Sequence, residues 1–238
     1  MKTETTKLTF SEPTSYYKDR VFEFNIPAGH ACPNALKCLV KADRETGKMK
    51  NGPLQEFRCY AAQSERFPSA RKARWRNFEL IKAAKTEARI ADLIRESLPK
   101  RASRIRIHGS GDFFNQKYFD AWLRVCSSNP DLLFWAFTKS VKFWVNRLDR
   151  IPENLIMQAS RGGRQDHLIE EFNLKSATVF HTIEEAIASG LPVDIDDEYA
   201  CTNQGSFALV DNFGPDRGGR LDHKTGLEIK SSFKPTGG

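Results

Sequence analysis

Three of the five cysteines fall within one irregular stretch of the chain. Cys32, Cys38 and Cys59 are separated by Pro-, Lys- and Gly-rich sequence without regular periodicity. Thiolates are soft ligands that suit zinc or an iron–sulfur cluster, whereas ordinary core cysteines fit such a polar loop poorly. Structural zinc takes four ligands, so the fourth would be His30, Cys201 or a group from outside the protein. The pattern therefore predicts a metal centre on this loop.

A glycine-rich turn directly follows a predicted strand. The turn consists of Gly109, Ser110, Gly111 and Asp112. Backbone N–H groups in such a turn can bind a phosphate, a carboxylate or the amino-acid portion of a cofactor. Asp112 is then a ligand or a base, or else an unremarkable helix N-cap. Lys139 ends a later strand, so it either points to the same rim or is a surface lysine.

Basic charge is concentrated in one segment. The chain carries 37 Lys and Arg against 30 Asp and Glu, for a net charge of +7. Between Arg66 and Arg106 there are 13 basic and 4 acidic residues. Such a segment binds nucleic acid or another polyanion, or it is a solvated helix face. Aromatic side chains among the arginines could stack on bases. The candidate nucleic-acid-binding residues here are Arg71, Lys72, Arg74, Trp75 and Arg76.

The pattern R-G-G-R-x-D-H occurs twice, at 161–167 and 217–223. Paired glycines let the backbone approach a phosphate or carboxylate, and flanking arginines bind it in a fork. The alternative is a pair of glycine turns with solvated arginines. Arg161 and Arg164 accordingly join the candidate nucleic-acid-binding residues.

Strand and helix patterns alternate through most of the chain. Strands are predicted at 21–26, 104–108, 132–138, 155–159, 177–180 and 206–210, and helices at 69–98, 116–127, 141–148, 166–172 and 183–189. This alternation predicts an α/β fold of parallel βα units. Six strands are too few for a closed eightfold barrel, so a partial (β/α)6 barrel is favoured over an open doubly wound sheet. Both architectures place functional residues at the carboxyl ends of strands.

The same patterns divide the chain into three parts. A polar lead-in covers residues 1–20, and a single α/β domain covers 21–213. Residues 29–60, named the cysteine loop from here on, form an insertion in that domain. A Gly- and Lys-rich tail covers 214–238.

Several protein classes are excluded by the sequence. The longest purely apolar run, 132–137, is far shorter than the roughly 20 residues that span a bilayer. The first residues lack the apolar stretch of a signal peptide, so we expect a cytoplasmic protein without a membrane segment. An odd number of cysteines without an export signal argues against a disulfide framework.

Six motifs together resemble the phage and plasmid "gene product 88" family. The similarity runs from about residue 20 to residue 212. The motifs are Phe24–Pro33, Phe57–Ala61, Pro68–Arg71, His108–Asn115, Phe137–Ser140 and Ala159–Arg164.

The motifs also resemble, more remotely, radical-SAM enzymes and their phage-borne relatives. Those proteins have a six-unit partial barrel, a [4Fe–4S] cluster on three cysteines after the first strand, and a glycine-rich turn that binds S-adenosylmethionine. The resemblance implies cluster ligands at Cys32, Cys38 and Cys59. It further implies an aromatic neighbour at Tyr60 and a methionine-binding turn at Gly109, Ser110, Gly111 and Asp112. The cysteines are more widely spaced here than in C-x-x-x-C-x-x-C, and Cys201 is a candidate fourth ligand of a non-catalytic cluster.

Three hypotheses describe the function. The first is an iron–sulfur, radical-SAM-like protein that acts on or binds nucleic acid, with Asp112 and Lys139 as catalytic candidates. The second is a non-catalytic nucleic-acid-binding protein whose cysteine loop folds around zinc. The third is a metal-dependent nuclease or phosphotransferase that uses His108, Asp112 and the Asp196/Asp197 pair. The acidic run at 194–198 is otherwise a solvated turn.

Overall fold

A seven-stranded sheet organises the protein. The computed structural model describes residues 7–12, 20–194, 197–202 and 205–211, with the backbone of 220–221 and 228–229. The strands are β1 (Phe10–Ser11), β2 (Val21–Asn25), β3 (Val40–Ala42), β4 (Met49–Asn51), β5 (Arg104–Ser110), β6 (Leu133–Thr138), β7 (Leu155–Ser160), β8 (Ser176–Phe180), β9 (Phe207–Val210), β10 (Arg220–Leu221) and β11 (Glu228–Ile229). The helices are α1 (Tyr60–Gln63), α2 (Pro68–Ala84), α3 (Glu87–Ser97), α4 (Gln116–Ser127), α5 (Val141–Val145), α6 (His167–Glu171), α7 (Ile183–Ala188) and α8 (Glu198–Thr202), with 3₁₀ turns at Ser64–Arg66 and Leu148–Arg150.

The central sheet is mostly parallel. Its strand order is β1-β2-β5-β6-β7-β8-β9, and β1 alone pairs antiparallel, along the edge of β2. The two further sheets, β3-β4 and β10-β11, are antiparallel pairs. The chain is therefore a mixed α/β protein, as the sequence predicts. Among the described strands the order never reverses, so this sheet lacks the switch point of a doubly wound fold.

Alternating side chains divide the core between the two faces of the sheet. Ile105 and Ile107 of β5 belong to the main apolar cluster, which α2 to α6 cover. Trp135 of β6 belongs to a smaller cluster on the opposite face, where α8 packs through Ala200 and Cys201. This arrangement follows from the two-residue period of a strand, because neighbouring residues point to opposite sides.

The long helix predicted over 69–98 is interrupted. Lys85 adopts φ 60, a left-handed conformation, and Thr86 then starts α3 by accepting a hydrogen bond from the Arg89 N–H. A residue with positive φ cannot continue an α-helix, and Thr is a favoured N-cap. The prediction of one helix is therefore wrong. The apolar residues keep their helical spacing across the break, so the sequence pattern does not show it.

Other parts are more ordered than the sequence indicated. The cysteine loop contains the hairpin β3–β4, and helix α1 begins at the last residue of the loop, Tyr60. Within the described part of the polar lead-in, Leu8 is buried and β1 pairs with β2. Helix α8 begins at Glu198, the last residue of the acidic run, for which the sequence favours a solvated turn. No helix in the described ranges is long and apolar enough to cross a membrane.

Candidate functional site

The carboxyl ends of β2, β5 and β6 are joined by side-chain hydrogen bonds at one edge of the sheet. Ser110 Oγ donates to the Ile26 carbonyl at 3.0 Å, and the Ile26 N–H donates to the Ser110 carbonyl at 3.0 Å. Thr138 Oγ1 donates to Asp112 Oδ1 at 2.6 Å. We name this edge, together with the cysteine loop beside it, the carboxyl rim.

Three thiols meet at the carboxyl rim. Cys32, Cys38 and Cys59 are all half-buried and free. Burial raises the pKa of Cys32 well above its ordinary value, and the nearby Asp112, Cys59 and Cys38 raise it further. Burial and then the neighbouring Cys38 raise the pKa of Cys59 to about 11. The three thiols therefore share one electrostatic environment that also includes Asp112.

The thiols are not, as placed, the ligands of one metal ion. Within the described ranges, no three His, Cys, Asp or Glu side chains stand at the spacing that one ion requires. Cys201, the candidate fourth ligand, is buried on α8 among Trp135, Ala177 and Phe207. Burial and the nearby Asp197 raise its pKa to about 12. The structure thus separates Cys201 from the thiols of the cysteine loop.

A glycine turn clamps the cysteine loop to the end of β7. The Lys37 N–H donates to the Gly162 carbonyl at 3.0 Å, and the Arg164 N–H donates to the Asn34 carbonyl at 2.9 Å. The N–H groups of Gly162 and Gly163 donate to the Asp166 carboxylate at 2.7 and 2.9 Å. The prediction of a phosphate cradle here is not supported, because these N–H groups already have an anionic partner.

The first glycine turn also requires its glycines for close packing. A Cβ on Gly109 would lie 2.4 Å from Glu23 Oε2, and one on Gly111, at φ +90, would lie 2.3 Å from Ile26 Cγ1. Tyr60 Oη donates to the Gly109 carbonyl at 3.1 Å. The Tyr60 residue is 45% exposed. The residue that follows Cys59 is therefore fixed to the turn by its hydroxyl and is partly exposed at the rim.

Asp112 holds the ends of β5 and β6 together. Its Oδ1 accepts from the Phe113 N–H at 2.7 Å as well as from Thr138, and its Oδ2 accepts from the Lys139 N–H at 2.9 Å. Burial raises the pKa of Asp112 to about 6, although the three hydrogen bonds act in the opposite direction. Both oxygens are thus engaged by donors of the protein itself.

Lys139 is buried at the same rim, which is one of the two alternatives that the sequence left open. Its Nζ donates to Ser160 Oγ at 2.5 Å and to the Ser160 carbonyl at 3.2 Å. Its positive charge lowers the pKa values of Cys59 and Asp112. Ser160 was not identified from the sequence, although it immediately precedes the first R-G-G-R motif.

His108 turns away from the rim into the apolar core. It adopts φ 67 at the point where the β2–β5 register shifts. Its Nε2 is 2.8 Å from Tyr118 Oη, and burial lowers its pKa to about 3. Asp197, which the nuclease hypothesis groups with His108 and Asp112, pairs with Arg106 at 2.7 Å. Asp196 lies outside the described residues.

Most of the predicted nucleic-acid-binding side chains have partners within the protein. Arg71 and Arg74 are buried, Trp75 packs between His30 and Arg44, Arg76 donates to the Lys7 carbonyl, and Arg161 pairs with Glu170. Lys72 and Arg164 are exposed. The expectation of a solvent-facing basic helix is therefore wrong for Arg71 and Arg74. The second R-G-G-R motif, at 217–223, lies outside the residues whose side chains are described.

Together these features define a mixed α/β protein whose glycine turns and three thiols share the carboxyl edge of a mostly parallel sheet. The chain belongs to the Gene product 88 family, whose profile matches residues 1–226. It is 32% identical over 136 residues to the Gene 88 protein of Mycobacterium phage L5, covering 52% of this chain and 50% of that protein. It is 33% identical over 120 residues to the Gene 88 protein of Mycobacterium phage D29, covering 47% and 43%. The match thus spans about half the length of these curated relatives. No solved structure matches the chain.

Proposed function

We propose that Cys32, Cys38 and Cys59 bind a [4Fe–4S] cluster on a radical-SAM-like partial (β/α)6 barrel. One observation carries this proposal: three cysteines from separate segments lie near one another, since Cys38 and Cys59 both raise the pKa of Cys32 and Cys38 raises the pKa of Cys59. Nothing in the local sequence spacing requires three thiols 6 and 21 residues apart to meet. Their convergence is the expected result if they act as one ligand set.

The chemistry of the donor set fits a cluster. Burial and the neighbouring thiols raise the pKa values of Cys32 and Cys59, so these two thiols are protonated at neutral pH when no metal is bound. A bound cationic centre would replace those protons and reverse the repulsion. In a cubane each thiolate binds a different iron, so the sulfurs stand farther apart than around a single zinc ion. Three thiolates on one loop suit such a cluster, with each of them binding one iron.

The topology supports the barrel part of the proposal. Six parallel strands follow one another in the sheet in chain order, from β2 through β5 to β9. Helices precede each strand from β5 onward. A sheet built this way curls towards a barrel, and its active site lies at the carboxyl ends of the strands. The thiols and the glycine turn occupy that end.

The glycine turn is the proposed ligand site beside the cluster. Gly109, Ser110 and Gly111 would hold the amino-acid portion of S-adenosylmethionine, and the Tyr60 ring would border it. Asp112 and Lys139 have protein partners at nearly every polar atom, so we assign them to shaping the turn and supplying charge. When bound, the cluster would supply one electron to its ligand. The protein's own residues would orient that ligand and exclude water.

Support for nucleic acid as the partner is limited to part of the predicted basic surface. Five of the seven residues expected to bind it have partners within the protein, and these are Arg71, Arg74, Trp75, Arg76 and Arg161. Lys72 and Arg164 are the two of the seven that are exposed.

Anaerobic purification with iron and acid-labile sulfide analysis tests the proposal. We expect brown protein with about four iron and four sulfide ions per chain and broad visible absorption. Single Cys→Ser variants at 32, 38 and 59 should lose this absorption. The matched variants Cys126→Ser and Cys201→Ser should keep it, because these cysteines lie in apolar clusters. A colourless protein with one zinc, or with no metal, would refute the proposal.

A further inference from the structure

Helix α2 buries two arginines on the side that faces the cysteine loop. Its buried residues are Arg71, Arg74, Asn77 and Ile81, which recur at three- and four-residue spacing along one helical face. Burying a guanidinium group is costly unless its N–H groups are paired. The partners of these arginines therefore indicate what the helix holds in place.

Arg71 binds main-chain carbonyls of two different segments. The acceptors are the carbonyl oxygens of Arg44 at 2.8 Å, Glu45 at 2.9 Å, Glu65 at 2.5 Å and Arg66 at 3.2 Å. The first two lie in the turn between β3 and β4, and β3 begins two residues after Cys38. Gly47 in that turn leaves room for the guanidinium, since a Cβ there would lie 2.4 Å from Arg71 Nη1. Arg71 thus fixes the hairpin that follows Cys38.

Arg74 and Glu65 connect the segments of the other two cysteines. Arg74 Nη1 donates to the Ala61 carbonyl at 2.7 Å and to Glu65 Oε1 at 3.1 Å. The same Glu65 oxygen accepts from the Ala28 N–H at 2.7 Å. Ala61 lies in the helix that Cys59 caps, and Ala28 precedes Cys32 by four residues. Glu65 is fully buried, so this connection is shielded from solvent.

We propose that Arg71 and Arg74 are positioning residues of the thiol site, which hold the segments of Cys32, Cys38 and Cys59 at a fixed spacing. The planar guanidinium fork satisfies several fixed acceptors at once, and lysine cannot reproduce that pattern. When the segments of a site are already fixed before binding, less binding free energy is lost in ordering the loop. The inference rests on the proposed function only for the identity of the bound centre.

Thiol accessibility in the full-length, anaerobic, chelator-treated protein tests this role. The rate of N-ethylmaleimide labelling is measured for each of the five cysteines by mass spectrometry. Arg71→Lys should accelerate labelling of Cys38, and Arg74→Lys should accelerate labelling of Cys32 and Cys59. We expect at least about tenfold, which corresponds to about 1.4 kcal/mol of local opening free energy. Cys126 and Cys201 should stay within about twofold of the wild type.

Arg89→Lys is the matched control, because Arg89 is exposed on the neighbouring helix α3; it should change no rate. Equal acceleration of all five cysteines would mean general destabilisation and would overturn the inference, as would unchanged rates at Cys32, Cys38 and Cys59. If the Arg74 variant does not fold, Glu65→Gln provides the second test. It removes the charge pair but keeps the volume, and should accelerate Cys32 and Cys59 without affecting Cys38.

Iron loading separates this inference from the proposed function. If the wild type takes up iron and sulfide, Arg71→Lys and Arg74→Lys should take up less and show an altered visible spectrum, while Arg89→Lys matches the wild type. If the wild type takes up no iron, the proposed function fails. The labelling pattern would still decide whether the two arginines position the thiols.

Discussion

The two faces of β5 differ in what they pack against. Ile105 and Ile107 lie fully buried on the helix-covered face, within an apolar cluster to which α4 contributes Phe119 and Trp122. The other face carries Arg104 and Arg106. Arg106 pairs with Asp197 at 2.7 Å and Glu23 at 3.4 Å, and Arg104 pairs with Glu198 at 3.0 Å. The same strand therefore contributes to an apolar core on one side and to a charge network on the other.

This difference separates the contacts that mainly stabilise the fold from those that fix the candidate site. Apolar contacts are non-directional and accumulate with buried area, so the helix-covered face mainly stabilises the fold. The polar face continues into the carboxyl rim, since Arg106 Nη2 donates to Tyr60 Oη at 2.8 Å and Tyr60 binds Gly109. Hydrogen bonds of this kind fix positions. Substitutions on the helix-covered face should therefore lower stability the most, whereas substitutions on the polar face should alter the geometry of the rim.

The largest effect is expected on the helix-covered face. Trp122→Ala removes the largest fully buried side chain and leaves a cavity against Phe24 and Phe134. The free energy of unfolding should fall by about 3–5 kcal/mol in chemical denaturation. Ile187→Ala is the control, because Ile187 is 56% exposed, and it should cost less than about 0.5 kcal/mol. Similar losses for the two variants would contradict this description of the core.

A change in the glycine turn should cost somewhat less and act on the rim. Gly111→Ala combines φ +90 with a Cβ 2.3 Å from Ile26 Cγ1, so we expect a loss of about 2–4 kcal/mol. Gly190→Ala has a similar φ of +72 but open space around the Cβ, and should cost about 1 kcal/mol. The difference between the two losses in unfolding free energy measures the cost of the contact between the new Cβ and Ile26. Equal costs would mean that backbone conformation alone determines the effect.

The next effect depends on pH. The pKa of Asp112 is raised from 3.8 to about 6 in the folded state, so the folded protein binds the proton more tightly than the unfolded chain does. Its contribution to stability is therefore fully present below pH 4 and is lost as the pH rises through 6. The loss amounts to at most about 3 kcal/mol. Asp112→Asn should reduce the fall in unfolding free energy between pH 4 and pH 6. An unchanged slope would show that Asp112 is not the titrating group.

The smallest effect is expected at an exposed ion pair. Asp92 and Arg95 lie one turn apart on α3 at 2.8 Å, each about half exposed. Asp92→Asn should lower the unfolding free energy by about 0.3 kcal/mol, and added salt should abolish the difference. A loss above about 1 kcal/mol would mean that solvated pairs contribute as much as the buried contacts of the rim.

The fold follows from the sequence wherever periodicity is strong. The parallel strands and the helix 116–127 are found close to their predicted positions, because alternating and 3.6-residue patterns reflect burial directly. The break at Lys85 and Thr86 was missed, since a positive φ leaves no mark on the apolar period. The hairpin β3–β4 was also missed. Its Asp43 and Gly47 are turn residues, and Asp43 Oδ1 accepts from the Thr46 N–H at 2.7 Å, so turn chemistry could have indicated it.

The site was partly predictable. The sequence identified the thiols, the glycine turn and Lys139 because strand ends at one edge of a parallel sheet converge. It did not identify what surrounds them. The high number of Lys and Arg residues predicted that Arg71 and Arg74 face the solvent, although their spacing with Asn77 and Ile81 indicates a buried helical face. Glu65 gave no signal, since only the tertiary structure brings it to the Ala28 N–H.

X-ray absorption at the iron edge of the anaerobic, full-length protein tests most directly whether the three thiols share one inorganic centre. The account predicts iron with sulfur neighbours and a distinct iron–iron scattering path, which only a multinuclear cluster produces. This signal should disappear in the Cys59→Ser variant and persist in Cys126→Ser. Zinc in place of iron, or iron without an iron neighbour, would contradict it.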